Sequence, residues 1–219
     1  MRLVSLIVFL LSAVVFLTGG VEGHVALFET CGLSLAGVGS WKLWQFLTYG
    51  FLHAHWWHVL VNVVMLWFLG QFLQRIVGVR KAMLVLLAGV IGGGLMHSVV
   101  LCLSKVGQDS LLIGVSGGVM ALLLCLTTLQ PYRVLKPFRL RAKHLGLGFL
   151  ISSFLLMLVS SQWNISAVNV VENFLVANFG EAILFVAHGC HFGGALAGLY
   201  LGRAYLKKYE SSKNKPDPI

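Results

Sequence analysis

Charged side chains are scarce in this chain of 219 residues. They account for 11% of it, with only seven Asp and Glu, whereas an ordinary soluble domain carries about 25%. No stretch stays polar for long enough to form a folded domain in water, so the composition excludes a soluble protein. Apolar residues make up 58%, and we predict a membrane protein with one domain that lies within the bilayer.

Cysteine is also sparse, and it provides no disulfide framework. Cys102, Cys125 and Cys190 fall in apolar segments, and Cys31 alone lies clearly outside them. The sequence has no apparent internal repeat and no nucleotide-binding loop. Its formal net charge of +9 could attract nucleic acid, but in so apolar a chain a membrane surface explains the Lys and Arg better. We therefore expect no nucleic-acid partner.

Six apolar segments are long enough, or nearly so, to cross a bilayer as helices, which takes about 20 residues. Their approximate bounds are Leu3–Thr18, Trp56–Leu73, Ala82–Leu103, Leu111–Leu129, Leu145–Ser161 and Phe179–Leu206. Runs such as Met83–Val90 lack the alternation of a transmembrane barrel. The sequence therefore predicts an all-α polytopic membrane protein. Its single six-helix domain covers residues 1–206, and a short cytoplasmic tail, 207–219, is expected to be disordered.

The basic residues predict the direction of these segments. With the N-terminus inside, fourteen of the sixteen Lys and Arg lie in inner segments, and Lys42 and Lys105 are left outside. We predict an integral protein of the bacterial inner membrane with both termini in the cytoplasm, so that even-numbered helices run from outside to inside. The first segment could also be a signal peptide, but it lacks an A-x-A cleavage pattern and is expected to be retained.

Polar side chains occur at comparable predicted depths on three of the even-numbered segments. His58 and Asn62 share one face of the second segment, since they are four residues apart. Ser116 lies about five residues into the fourth segment, and His191 lies about twelve residues into the sixth. Because these segments descend from the same surface, the side chains are expected to share a pocket that opens outward.

Small residues would let the fourth and sixth helices approach each other. His191, Gly194, Gly198 and Gly202 form one stripe along the sixth helix, and glycines also flank Ser116. A contact between serine and histidine permits nucleophilic catalysis, because the imidazole can remove the hydroxyl proton and later return it. The spans contain no carboxylate at this depth, so a two-residue dyad is predicted rather than a triad.

These motifs resemble those of the rhomboid intramembrane serine proteases. Gly114-Val115-Ser116-Gly117 is similar to the family's G-x-S-G motif, and the segment from His191 to Gly198 is similar to its H-x-x-G-x-x-x-G motif. The segment from His58 to Asn62 is similar to H-x-x-x-N. The resemblance extends from Trp44 to Gly202, and six helices agree with the family's minimal form.

The resemblance implies a role for each of these residues and no cofactor. It implies a nucleophile, a general base and two oxyanion partners, which are Ser116, His191, His58 and Asn62. It also implies that substrates are single-span membrane proteins and that the outer loop Gln162–Asn178 is a mobile cap over the site. Trp44 is followed by Gln45, where many rhomboids have Arg, so the anchoring of the first outer loop is an open question.

The other histidines leave alternatives. His188 competes with His191 as the base, although the correctly spaced glycines follow His191 alone. His53 and His55 are expected to be solvated at the interface, but with His58, His188 and His191 they could instead bind zinc. The chain lacks the H-E-x-x-H motif that such a metalloprotease would need. A non-catalytic client-binding protein or a channel would leave the paired serine and histidine unexplained.

Overall fold

The computed structural model describes residues 1–104, 110–136, 139–160, 166–179 and 187–213. It is an all-α membrane bundle with one small hairpin. The helices are α1 Arg2–Leu17, α2 Gly20–Gly23, α3 Val25–Cys31, α4 Leu35–Gly39, α5 Gln45–Thr48, α6 Trp56–Val77, α7 Val79–Ser104, α8 Ser116–Leu129, α9 Ala142–Ser160, α10 Ser166–Phe179 and α11 His188–Lys213. A 3₁₀ turn covers Tyr49–Phe51, and strands β1 Val134–Leu135 and β2 Leu140–Arg141 pair antiparallel.

Six of these helices correspond to the six predicted segments. Among the described residues, α6, α7 and α9 are both long and apolar enough to cross a membrane, and α1 and α8 are shorter apolar helices of 16 and 14 residues. Helix α11 has 26 residues and continues to Lys213, into the segment for which we expected disorder. The chain is therefore a polytopic helical membrane protein.

The fourth and sixth helices begin later than their apolar composition predicts. Helix α8 begins at Ser116 rather than at Leu111, because Gly114 has φ +104°, a backbone conformation that a right-handed helix excludes. Helix α11 begins at His188, so His191 is its fourth residue rather than its twelfth. The predicted first residues of these two helices were therefore wrong, and so were the depths counted from them. The two side chains lie level because each is close to the start of its helix.

Small residues bring α7, α8 and α11 together at the centre of the bundle. A Cβ atom on Gly194 would collide with the backbone of Gly117, and one on Gly198 would collide with the backbone of Ala121. On α7, a Cβ on Gly93 would lie 2.8 Å from the Cys190 carbonyl oxygen. The glycine stripe predicted on the sixth helix thus contacts α8, and it brings the beginnings of α8 and α11 together.

The two predicted outer loops contain helices of their own. The first loop includes four short helices and the 3₁₀ turn, and it packs beside the segment that leads into α8. The second loop contains α10, while its beginning at Gln162 lies outside the described residues, as does the predicted external Lys105.

Candidate active site

Ser116 and His191 are in direct contact. Ser116 is the first residue of α8, His191 is on the first turn of α11, and Ser116 Oγ lies 2.9 Å from His191 Nε2. Both side chains are partly buried. This distance is that of a hydrogen bond, the arrangement in which an imidazole nitrogen can accept a hydroxyl proton.

The position of Ser116 at a helix start has an electrostatic consequence. The first N–H groups of an α-helix have no partner within the helix, and the dipole is positive at this end. Negative charge that develops beside Ser116 is therefore stabilised by the backbone of α8 itself.

His58 and Asn62 lie beside the turn that precedes Ser116. A Cβ atom on Gly114 would be 2.6 Å from His58 Nε2 and 3.8 Å from Asn62 Nδ2, so both polar groups face the backbone of this turn. Asn62 is buried, and its Nδ2 donates to the His58 carbonyl oxygen at 3.0 Å. The structure thus brings all four residues predicted from the motifs to one place.

The first outer loop holds the turn before Ser116 in place. Leu33 and Leu112 exchange backbone hydrogen bonds of 3.0 and 2.8 Å, and the Gly114 N–H donates to the Tyr49 carbonyl oxygen at 2.9 Å. Tyr49 is itself fully buried and donates its hydroxyl to the Val90 carbonyl oxygen at 2.6 Å. The turn before Ser116 is therefore fixed to α7 through Tyr49.

Gln45 answers the open question of how this loop is anchored. Its fully buried side chain accepts a hydrogen bond from the Ser34 N–H at 3.3 Å, and its Nε2 lies 3.2 Å from the Glu29 carbonyl oxygen and 3.3 Å from that of Thr30. Trp44 Nε1 also donates to the Thr30 carbonyl oxygen, at 3.0 Å. A neutral amide thus joins the last part of the loop to its middle without a cation.

His53 was wrongly expected to be solvated, whereas His55 is indeed exposed. His53 is only 2% exposed, its Nδ1 lies 3.2 Å from Ser12 Oγ on α1, and its ring centroid lies 4.9 Å from that of His58. Burial, followed by the charge on His58, lowers the pKa of His53 to about 4, so this imidazole is neutral at pH 7. Its proximity to Ser12 depends on how α1 packs, which no motif in the sequence reveals.

His188 lies next to the pair, with its ring at right angles to that of His191. It is buried, and the two ring centroids are 6.1 Å apart with the planes nearly perpendicular. Within the ranges that the structure describes, no three His, Cys, Asp or Glu side chains converge as metal ligands would. The serine contact belongs to His191, as the glycine spacing predicted.

The fold and the site together define a class: polytopic helical membrane proteins in which a serine and a histidine meet inside the bundle. A model of the Rhomboid domain matches residues 40–208, well over half of the chain, and the chain belongs to the rhomboid family. Members of this family are typically serine proteases that act on transmembrane substrates in the bilayer, although some rhomboid-like proteins are inactive. No curated protein matches the chain.

Proposed function

We propose that this protein is an intramembrane serine endopeptidase. The observation that carries the proposal is the 2.9 Å contact between Ser116 Oγ and His191 Nε2 at the start of two neighbouring helices. An inactive relative has no need to keep both groups. The groups around the pair supply the remaining requirements of peptide-bond hydrolysis.

The proposed reaction begins when His191 Nε2 accepts the Ser116 hydroxyl proton and Oγ attacks the substrate carbonyl carbon. The carbonyl oxygen becomes an oxyanion, which His58, Asn62 and the N–H groups of the first turn of α8 stabilise as donors. When the tetrahedral intermediate collapses, His191 gives its proton to the departing amine, and an acyl-enzyme remains. Water then attacks the ester with His191 again as base, the bond to Ser116 Oγ breaks, and the substrate's new carboxyl end leaves as Ser116 recovers its proton.

We propose that the cut falls near the outer membrane interface and that substrates are single-span membrane proteins. Fourteen of the sixteen Lys and Arg lie in the segments that we place inside, which puts the beginnings of α8 and α11 toward the outer face. We also propose that this membrane is the inner membrane of a bacterium and that both termini lie in the cytoplasm. Helix α10 lies in the outer loop that the resemblance identifies as a cap.

The decisive experiment compares three variants of the purified protein on a reconstituted transmembrane substrate. Ser116→Ala and His191→Ala should each lower cleavage to background, because each removes one partner of the proton transfer. His188→Ala is the matched control on the same turn of α11 and should retain most activity. Loss in His188→Ala with normal cleavage by His191→Ala would overturn the assignment of the base.

An inhibitor comparison separates the alternatives. A fluorophosphonate should label the wild type at Ser116 and leave Ser116→Ala unlabelled, while a chelator should have no effect. Inhibition by the chelator without fluorophosphonate labelling would favour a histidine-bound metal. Specific binding of transmembrane clients without any cleavage would favour a non-catalytic, client-binding protein.

A further inference from the structure

The segment between α8 and α9 concentrates positive charge at one end of the bundle. Residues 130–144 contain no Asp or Glu but five basic residues, all exposed: Arg133, Lys136, Arg139, Arg141 and Lys143. Within it, β1 and β2 are held together by the backbone pairing of Val134 with Arg141 and of Leu135 with Leu140. We refer to residues 130–144 as the basic hairpin. Its charge is that of a surface which binds anions.

Within the described part of this hairpin, Arg133 is the basic residue that is held over an aromatic ring of α6. Its Nη1 donates to Gln130 Oε1 at 2.8 Å, and its guanidinium carbon lies 5.0 Å from the centroid of the Phe72 ring. Arg75 approaches the same ring at 6.0 Å. A guanidinium has five N–H donors, so several remain for a phosphate group after the bond to Gln130.

A cavity lies directly beside Arg133, between α6, α8, α9 and the basic hairpin. Its volume is about 170 Å³, and apart from Thr127, Gln130 and Arg133 it is lined by apolar side chains, among them Phe68, Phe72, Leu126 and Leu145. A water molecule takes about 30 Å³ and needs polar partners, so the space suits hydrocarbon better than water. Phe68, which lines the cavity, is 51% exposed. The cavity therefore lies at the side of the bundle that faces the lipid.

We propose that this cavity and Arg133 form a binding site for one anionic glycerophospholipid. Part of an acyl chain occupies the cavity, and the phosphate is bound by Arg133, which lines it. Charge complementarity and the apolar lining favour this ligand over a free phosphate, which would leave the cavity empty, and over a zwitterionic lipid, whose own cation opposes Arg133. The proposal does not depend on the proteolytic function.

Native mass spectrometry of the delipidated protein in detergent tests the site. We expect one phosphatidylglycerol to bind at least fivefold more tightly than phosphatidylcholine, since a cation near an anionic lipid contributes about 1 kcal/mol, or about fivefold in Kd. Arg133→Gln should weaken phosphatidylglycerol binding by a similar factor. Arg141→Gln removes the same charge from the same hairpin but does not line the cavity, so it should change Kd less than twofold.

A second variant tests the cavity itself and does not depend on Arg133. Leu145→Trp fills part of the space and should also weaken phosphatidylglycerol binding, and each variant's melting temperature without added lipid shows whether it is folded. If Arg133→Gln does not fold, Leu145→Trp decides. Equal binding of both lipids, equal losses in Arg133→Gln and Arg141→Gln, unchanged binding by folded Leu145→Trp, or inorganic phosphate that binds as tightly as the lipid would each overturn the proposal.

Discussion

Gly114 lies in the turn before Ser116, against His58 of α6. Its φ of +104° disfavours any larger residue, and so does the distance of 2.6 Å that would separate an added Cβ from His58 Nε2. We expect Gly114→Ala to displace His58 or the turn itself and to lower kcat for substrate cleavage by at least tenfold. Loss of a single oxyanion donor typically costs about 3 kcal/mol of transition-state stabilisation, or about a hundredfold in kcat, and this is the largest decrease that we expect.

Gly148→Ala is the matched control for this substitution. Nothing lies within 4 Å of a Cβ on Gly148, which is an exposed residue inside α9. Alanine is favoured over glycine within a helix by about 0.5–1 kcal/mol, so this variant should cleave normally and be slightly more stable. A wild-type rate in Gly114→Ala would show that His58 does not need its present position.

Gln45 should stabilise the protein through its buried hydrogen bonds. Gln45→Leu would remove the partner of the Ser34 N–H and of the Glu29 carbonyl oxygen, whereas the Thr30 carbonyl oxygen would keep its bond from Trp44. We therefore expect the free energy of unfolding to fall by about 2–4 kcal/mol. Leu47→Ala, on the same short helix but 44% exposed, is the control and should cost much less. Unfolding in mixed detergent micelles measures both. Equal stability of the two variants would mean that the loop is anchored elsewhere.

At the residue scale, short motifs were informative where chemistry restricts the residue type. They singled out Ser116, His191, His58 and Asn62, and the structure brings these residues together, while their catalytic roles stay predictions. The burial of His53 was missed because its surroundings are set by contacts far along the chain, above all with Ser12. Sequence proximity to an interface does not reveal such contacts.

At the scale of whole helices, the close packing of α11 against α8, which we call the seam, decides whether the serine and histidine meet. Gly198 lies against the backbone of Ala121, which cannot move as a side chain can. Gly198→Val should therefore push the helices apart, lower the free energy of unfolding by about 1–3 kcal/mol or more and reduce fluorophosphonate labelling of Ser116.

The control for the seam is Leu196→Val on the same helix, where the side chain is 37% exposed. It changes the hydrophobic volume slightly and should keep both stability and labelling near the wild type. If Gly198→Val labels as fast as Leu196→Val, close packing at this point is not what brings Ser116 to His191.

Apolar length predicted the six helices but not where two of them begin. Hydropathy treats Leu111–Val115 as part of the fourth span, whereas backbone conformation at Gly114 and hydrogen bonds to the first outer loop keep that segment out of the helix. The short helices of this loop were also not predicted, because isolated helices of four to seven residues depend on tertiary contacts rather than on their own sequence.

Over the whole molecule, the serine–histidine pair and the basic hairpin lie at opposite ends of α8. This helix has 14 residues and is therefore about 21 Å long, which is shorter than the roughly 30 Å hydrocarbon core of a bilayer. With the basic hairpin at one interface, Ser116 would lie below the opposite one. Water must then reach it through the polar groups at the beginnings of α8 and α11.

This arrangement predicts the orientation of the protein in a living cell. Cysteines introduced by Ser40→Cys in the first outer loop and by Ser211→Cys near the end of α11 both replace exposed residues. A membrane-impermeant maleimide added to intact cells should label the Ser40→Cys protein above the wild-type background. It should label the Ser211→Cys protein only after permeabilisation, because we propose that the basic end faces the cytoplasm. The wild-type chain, with its four native cysteines, is the control. Labelling of Ser211→Cys in intact cells would mean that the orientation is the opposite one, with the serine–histidine pair toward the cytoplasm.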